Sequence, residues 1–129
     1  MIALDTNVVI RFLVNDDKAQ ALKARALIGS EKVSISPTVL LECEWVLRSA
    51  YRLFAKDIAR LLRALLGLSG VSVSEPEAIA EALRCYENGM DFADALHLAF
   101  AGDAAQFATF DKRFAAKAKR LQNRTVLSL

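Results

Sequence analysis

The chain has 129 residues, of which 54% are hydrophobic and 25% charged, with five Gly and two Pro. That length suits one domain, residues 1–129, and is enough to bury a core without staples. The composition excludes disordered, collagenous and low-complexity classes. A net charge of +2 gives no global bias toward nucleic acid, so any basic surface must be local.

The longest stretch without a charged side chain runs from Ala64 to Ser74. A membrane-spanning helix needs about 18 or more apolar residues, so no membrane role is expected. The N-terminus, Met-Ile-Ala-Leu-Asp, lacks a basic region and meets an acid at Asp5, unlike an export signal. Cys43 and Cys85 lie in apolar, helix-like contexts, as reduced core cysteines do. The expectation is a cytosolic protein.

In chain order, Ile2–Leu4 is predicted as a strand that stops at Asp5-Thr6-Asn7. Lys18–Ile28 is an amphipathic helix with apolar residues at 19, 22 and 26, closed by Gly29-Ser30. Val33–Ser36 is a strand, and Ser36-Pro37 supplies an N-cap and an N1 proline for a helix running to about Tyr51. A helix over Lys56–Leu66 ends at Gly67, and Val71–Val73 is a third strand. Glu75-Pro76 opens a helix to about Tyr86, stopped by Asn88-Gly89. Asp91–Ala101 is a helix, Phe107–Phe110 a strand, Asp111–Leu121 a helix and Thr125–Leu127 the last strand. Strands spaced by helices imply crossover connections, hence an α/β fold with a mostly parallel sheet. Such sheets place their sites outside the carboxyl ends of the strands. That rule points to Asp5–Asn7, the helix start after Ser36, and Asp111.

Most of the 15 acids read as ordinary surface charges. Glu44 with Arg48 at i+4 reads as an exposed helix pair. Five acids differ. Asp5 ends an apolar strand. Glu42 has no basic partner at i±4 and shares a side with Val39, Trp45 and Val46, a side expected to be partly buried. Asp91 and Asp94 lie three apart on one helix face. Asp111 follows the fourth strand. Asp5, Asp91 and Asp111 also suit helix capping, with Asp94 at N3 after Asp91. Carboxylates gathered at one rim repel one another, and a cation relieves that repulsion. All-oxygen donors favour Mg²⁺ or Mn²⁺. Zinc is disfavoured, because His97 is the only histidine and the cysteines lack metal spacing. Such a site suits metal-assisted phosphodiester hydrolysis.

These residues resemble the PIN domain, and more closely the VapC toxins of bacterial VapBC toxin–antitoxin pairs. Leu4-Asp5-Thr6-Asn7 resembles the first motif of that family and Ser36-Pro37-Thr38-Val39-Leu40-Leu41-Glu42 the second. Asp91-Phe92-Ala93-Asp94-Ala95-Leu96-His97-Leu98-Ala99 resembles the third, and Thr109-Phe110-Asp111-Lys112 the fourth. The resemblance spans essentially the whole chain. It implies a three-layer α/β/α sandwich and a Mg²⁺- or Mn²⁺-dependent endoribonuclease acting as the toxin of a type II pair. It gives Asp5, Glu42, Asp94 and Asp111 the four acidic positions of the catalytic pocket and metal site, with Asp91 as a further metal-side acid. Thr6, Asn7 and Thr109 take supporting roles. Metal-activated water would then attack the RNA phosphodiester and leave a 5′ phosphate. A VapB-like antitoxin and a homodimer are implied as partners.

From Lys112 to Arg124 there are six basic residues and no acid, which leaves the rest of the chain net negative. Lys112, Arg113 and Lys117 are the RNA-binding candidates, since phosphate contacts steer RNA without reading sequence. A second basic stripe, Arg48, Arg52, Lys56, Arg60 and Arg63, reads as a solvated face. His97 reads as locally bonded or packed. Trp45, Tyr51 and Phe54 read as core, in the region where an antitoxin would dock. Other readings are an RNA-processing PIN nuclease outside a toxin pair and a non-catalytic metal- or RNA-binding module. A receiver domain fails on Asp-Thr-Asn after the first strand and Ser72-Val73-Ser74 at the third. An Asp-x-Asp phosphatase fails on Asn7.

Overall fold

A computed structural model describes residues 1–122 and 124–129. The chain forms two compact units, Met1–Pro76 and Glu77–Leu129. In the first unit, β1 (Ile2–Ala3), β2 (Val33–Ser34) and β3 (Val71–Ser72) form a parallel sheet in that order. Ile2 pairs with Val33 and Ala3 with Ser34, while Val33 pairs with Val71. The ladder runs on past β1 and β2, with Leu4 N donating to Ser34 O (3.0 Å) and Ile35 N to Ser72 O (3.0 Å). The crossovers are α1 (Thr6–Leu13) and α2 (Lys18–Ser30), then α3 (Pro37–Ser49) and α4 (Ala55–Leu66). Parallel neighbours require such crossovers.

The second unit holds α5 (Pro76–Glu87, beginning at the boundary), α6 (Phe92–Ala99), β4 (Gln106–Thr109), α7 (Lys112–Leu121) and β5 (Thr125–Ser128). β4 pairs with β5 in parallel, from Gln106 opposite Thr125 to Thr109 opposite Ser128. α7 packs on this ribbon, and Phe114 meets Phe107 edge-on at 5.5 Å. Tyr86 and Phe92 join α5 to α6 with ring centroids 5.1 Å apart. Every pairing described in either unit is parallel, as the predicted α/β class requires. No helix of the described residues is long and apolar enough to cross a membrane.

Three sequence expectations are corrected here. First, α1 is a helix where the chain-order assignment placed a strand stop and a short helix capped by Asp5 stood only as the alternative. Its Val8-Val9-Ile10 run has weak helix propensity, and packing on α2 and α3 decides the outcome. Second, the buried face of α2 is Ala21, Ala24 and Ile28, whereas Ala19, Leu22 and Ala26 are exposed. Alanines lie on both faces of this helix, so its apolar period is ambiguous, and only contact with α1 selects the face. Third, on α3 the buried acid is Glu44, 3% exposed, while Glu42 and Trp45 lie outside. Leu40, Cys43, Glu44 and Leu47 form the inner stripe at i, i+3, i+4 and i+7. The Arg48 guanidinium reaches in to Glu44 Oε2 at 2.8 Å and so pairs the buried carboxylate. Phe54 is 80% exposed and Trp45 57%, so neither is core, and Tyr51 is half-buried.

Boundaries shift by a residue or two. α3 ends at Ser49 and α6 at Ala99, and Phe110 lies outside β4 and is 81% exposed. Gly89, at φ 101°, adopts the left-handed conformation just after α5, where a Cβ would be strained.

The α2 assignment is open to measurement by urea denaturation. Ile28→Ala should cost about 2–5 kcal/mol, the usual loss for a buried large-to-small change. Leu22→Ala should stay within about 0.5 kcal/mol, as exposed sites do. Equal losses at the two positions would put the wrong face inside.

Candidate active site

In the first unit the chain leaves β1 at Leu4, and Asp5 becomes the N-cap of α1. Its Oδ1 accepts from Thr6 N at 2.7 Å. The next strand over leaves β2 through Ile35 to Ser36, the N-cap of α3, whose Oγ accepts from Val39 N at 3.2 Å. Two caps thus stand at the carboxyl edge of one parallel sheet, where the sheet rule places a site. Glu42 lies on α3, about one and a half turns beyond its cap. Asp5 and Glu42 share a neighbourhood, because both carboxylates act on the buried thiol of Cys43, which directly follows Glu42. Burial first, then Glu42 and Asp5, push the Cys43 thiol up to about 12. That thiol stays protonated and unreactive at neutral pH.

Thr6 is buried, and its hydroxyl has no hydrogen-bond partner among the described residues. An orphaned buried oxygen beside an acidic cap is an unmet coordination or hydrogen-bonding position. Asn7 is exposed and lines a cavity of about 390 Å³ between α1 and α2, together with Arg11, Gln20 and Lys23. Sequence reading missed this cavity because its chain-order assignment left out α1. Nearby, Tyr51 donates its hydroxyl to Asp16 Oδ2 at 2.6 Å, and that bond, with Arg11, holds the Asp16 carboxyl below its usual range.

In the second unit three acids stand at helix starts. Asp91 caps α6, its Oδ2 accepting from Asp94 N at 3.1 Å. Asp111 caps α7, its Oδ1 accepting from Phe114 N at 2.9 Å. Thr109 Oγ1 accepts from Asp111 N at 3.0 Å and so fixes the approach to that cap. Asp94 is half-buried in the first turn of α6. Burial raises its pKa above the usual value, and the carboxylates of Asp91 and Asp111 raise it further; His97 and Lys117 oppose. A helix N-terminus ordinarily favours a carboxylate. Here desolvation, and after it the charges of Asp91 and Asp111, outweigh that effect at Asp94. His97 is exposed and bears on Asp94 through its charge. Lys112 and Arg113 are exposed, whereas Lys117 is half-buried and donates to Gly89 O at 2.8 Å.

The donor set is chemically suited to a hard divalent cation. It offers carboxylate and hydroxyl oxygens without a cysteine or histidine cluster. Among the described residues, no three His, Cys, Asp or Glu side chains come together closely enough to cage a metal ion. Within each unit the fit rests on donor chemistry and not on a preformed cage, supported in the first by the orphaned Thr6 hydroxyl and in the second by burial of Asp94 near Asp91 and Asp111.

The family model of the PIN domain matches residues 2–120, and the chain belongs to that family, a nuclease-type fold. A search among curated proteins gave no match.

The strain at Asp94 has a sign. A carboxyl whose folded pKa is raised binds its proton more tightly folded than unfolded, so folding is penalised above the folded pKa and relieved as pH falls through it. Asp94→Asn should therefore raise the thermal midpoint of metal-free protein at pH 7, and the gain should shrink as pH falls toward 4. Carbon-detected NMR titration should find the Asp94 carboxyl titrating above the ordinary aspartate value. A midpoint lowered by Asp94→Asn at pH 7 would contradict the raised pKa.

Proposed function

From membership of the PIN-domain family, we propose that the protein is a Mg²⁺- or Mn²⁺-dependent endoribonuclease and the toxin of a type II toxin–antitoxin pair. The observation that carries the nuclease reading is the PIN-domain match over residues 2–120, with Asp91 and Asp94 at the start of α6 and Asp111 at the start of α7. Burial and its acidic neighbours raise the pKa of Asp94, and a carboxyl so placed is poised for positive charge. The toxin reading rests on the VapC-like order of the four motifs around Asp5, Glu42, Asp94 and Asp111.

In this reading Asp5, Glu42, Asp94 and Asp111 would hold the metal, with Asp91 beside Asp94 and the Thr6 hydroxyl beside Asp5. When bound, the ion would supply a Lewis acid for the phosphodiester and lower the pKa of the attacking water. The chain's own residues set the stage. The α1, α6 and α7 amides orient the Asp5, Asp91 and Asp111 carboxylates. Thr109 fixes the turn into Asp111. Water adds to phosphorus, the P–O3′ bond breaks, and one proton passes to the leaving oxygen. The products are a 3′ hydroxyl and a 5′ phosphate, with no demand on the RNA 2′-hydroxyl.

The proposed partners are a VapB-like antitoxin and a second copy of the chain, in the cytoplasm. Exposed Trp45 and Phe54 support a hydrophobic docking surface on the first unit. Aromatic residues of that kind dominate protein interfaces.

Antitoxin-free protein should cut a cellular RNA pool at discrete positions in Mg²⁺ and not in EDTA. Asp94→Ala and Asp5→Ala should each lose more than about 100-fold in rate, beyond what an outer-sphere change costs. Metal-independent cutting, or full activity in both variants, would sink the reading.

A further inference from the structure

The basic run after Asp111 does not form one face. On α7, Lys112, Ala115, Ala116 and Lys119 recur at i, i+3, i+4 and i+7 and share one stripe. Arg113, Lys117 and Arg120 fall on a second stripe, and the buried Phe114 and Ala118 on a third. The first stripe lines a cavity of about 760 Å³ whose other lining residues are Gln122, Arg124 and, on β5, Thr125, Val126 and Ser128. Two alanines make a low floor between two lysines. α7 advances about 1.5 Å per residue, so the lysines stand roughly 10 Å apart along the groove.

Arg124 adds a third cation to the same cavity. Its guanidinium donates to the carbonyl oxygens of Gly102 (2.9 Å) and Ala104. Those bonds hold the group in place without neutralising its charge. Among the described residues no acid lines the cavity, and Thr125 and Ser128 contribute hydroxyls on the β5 side. The groove also has a direction. Lys112 directly follows the Asp111 cap, so one end opens beside the second unit's acids and the other lies at Lys119 and Arg124.

We propose that this α7–β5 groove binds the RNA backbone, seating successive phosphates on Lys112, Lys119 and Arg124 as the strand leaves the acidic site. The proposal rests on the ribonuclease reading and deepens it. A line of cations with small side chains between them suits a phosphodiester chain. Hydroxyls at Thr125 and Ser128 suit phosphate or ribose oxygens. Contacts from these cations to phosphates would position RNA without reading its sequence.

The test is binding of a fluorescein-labelled single-stranded RNA by the full chain in EDTA, read by anisotropy against salt, with cleavage in Mg²⁺ measured in parallel. Lys112→Ala/Lys119→Ala should weaken binding roughly tenfold and reduce the log–log salt slope by about 1.4, the value for two lost single-strand phosphate contacts. Lys18→Ala/Arg25→Ala removes the same charge from the exposed face of α2 and should leave both quantities unchanged. Both α7 lysines are exposed, so the thermal midpoint should hold. Unchanged RNA affinity in the α7 variant, with wild-type cleavage intact, overturns the groove and spares the nuclease reading. An equal loss in the α2 variant also overturns it, as an effect of net charge alone. If labelled oligoglutamate binds the wild type and not the α7 variant while RNA affinity is unchanged, the groove belongs to an acidic peptide. Failure of the wild type to bind or cut RNA removes both readings together.

Discussion

Backbone amides at helix N-termini are the constraint on which the acidic groups of this protein depend. A strand that ends and a helix that begins leave amide donors without partners at the turn. Asp5, Asp91 and Asp111 each fill that need with a carboxylate oxygen. The same bond that starts α1, α6 or α7 also fixes where the carboxylate stands. Capping and metal chemistry are therefore not rival accounts of these acids. A cap engages one oxygen in the bond described. Asp94 has a different position. It sits inside the first turn of α6, its own N–H bonded to Asp91, and takes the repulsion of its neighbours.

Burial on α3 shows how a single helix can carry opposite fates for similar residues. Glu42 and Glu44 are two residues apart, hence about 200° apart around the axis. Glu44 falls on the Leu40–Cys43–Leu47 stripe and is buried, with Arg48 reaching in to pair it. Glu42 falls outside, near enough to raise the Cys43 thiol. A buried acid with a partner is a structural group. An exposed acid beside a capped carboxylate is available for chemistry.

The order of elements and the parallel pairing were legible in the sequence because turn and cap residues mark nearly every boundary. Ser36-Pro37, Asn88-Gly89 and Asp111 each name a helix end by their own chemistry. Asp5, Asp91 and Asp111 were recognisable as caps for the same reason. What could not be read is what packing decides. α1 lacks a polar period, α2 carries small apolar residues on more than one side, and α3 offers Trp45 and Cys43 as competing inner residues. Hydrophobicity ranks Trp45 as core, yet the smaller Cys43 fits the inner stripe and the indole is left outside. The cavities beside α1 and α7 were illegible for a related reason. Each needs two elements placed side by side, and a charge count along α7 does not say which cations share a wall.

The double duty of the capping acids governs how substitutions at them must be read. Asp and Asn cap a helix about equally well, whereas Ala loses about 0.5–2 kcal/mol. Asp111→Asn keeps an oxygen for Phe114 N and removes the charge that acts on Asp94. Asp111→Ala removes both. If Asp111 matters through its charge, Asn and Ala should lower RNA cleavage alike while only Ala lowers the unfolding midpoint by a cap's worth. If it matters as a cap alone, Asn should cleave as the wild type does. Asp94 and Glu42 cap no helix, so their alanine variants carry no such ambiguity, and a comparison of the two classes separates the acids that build the site from those that use it.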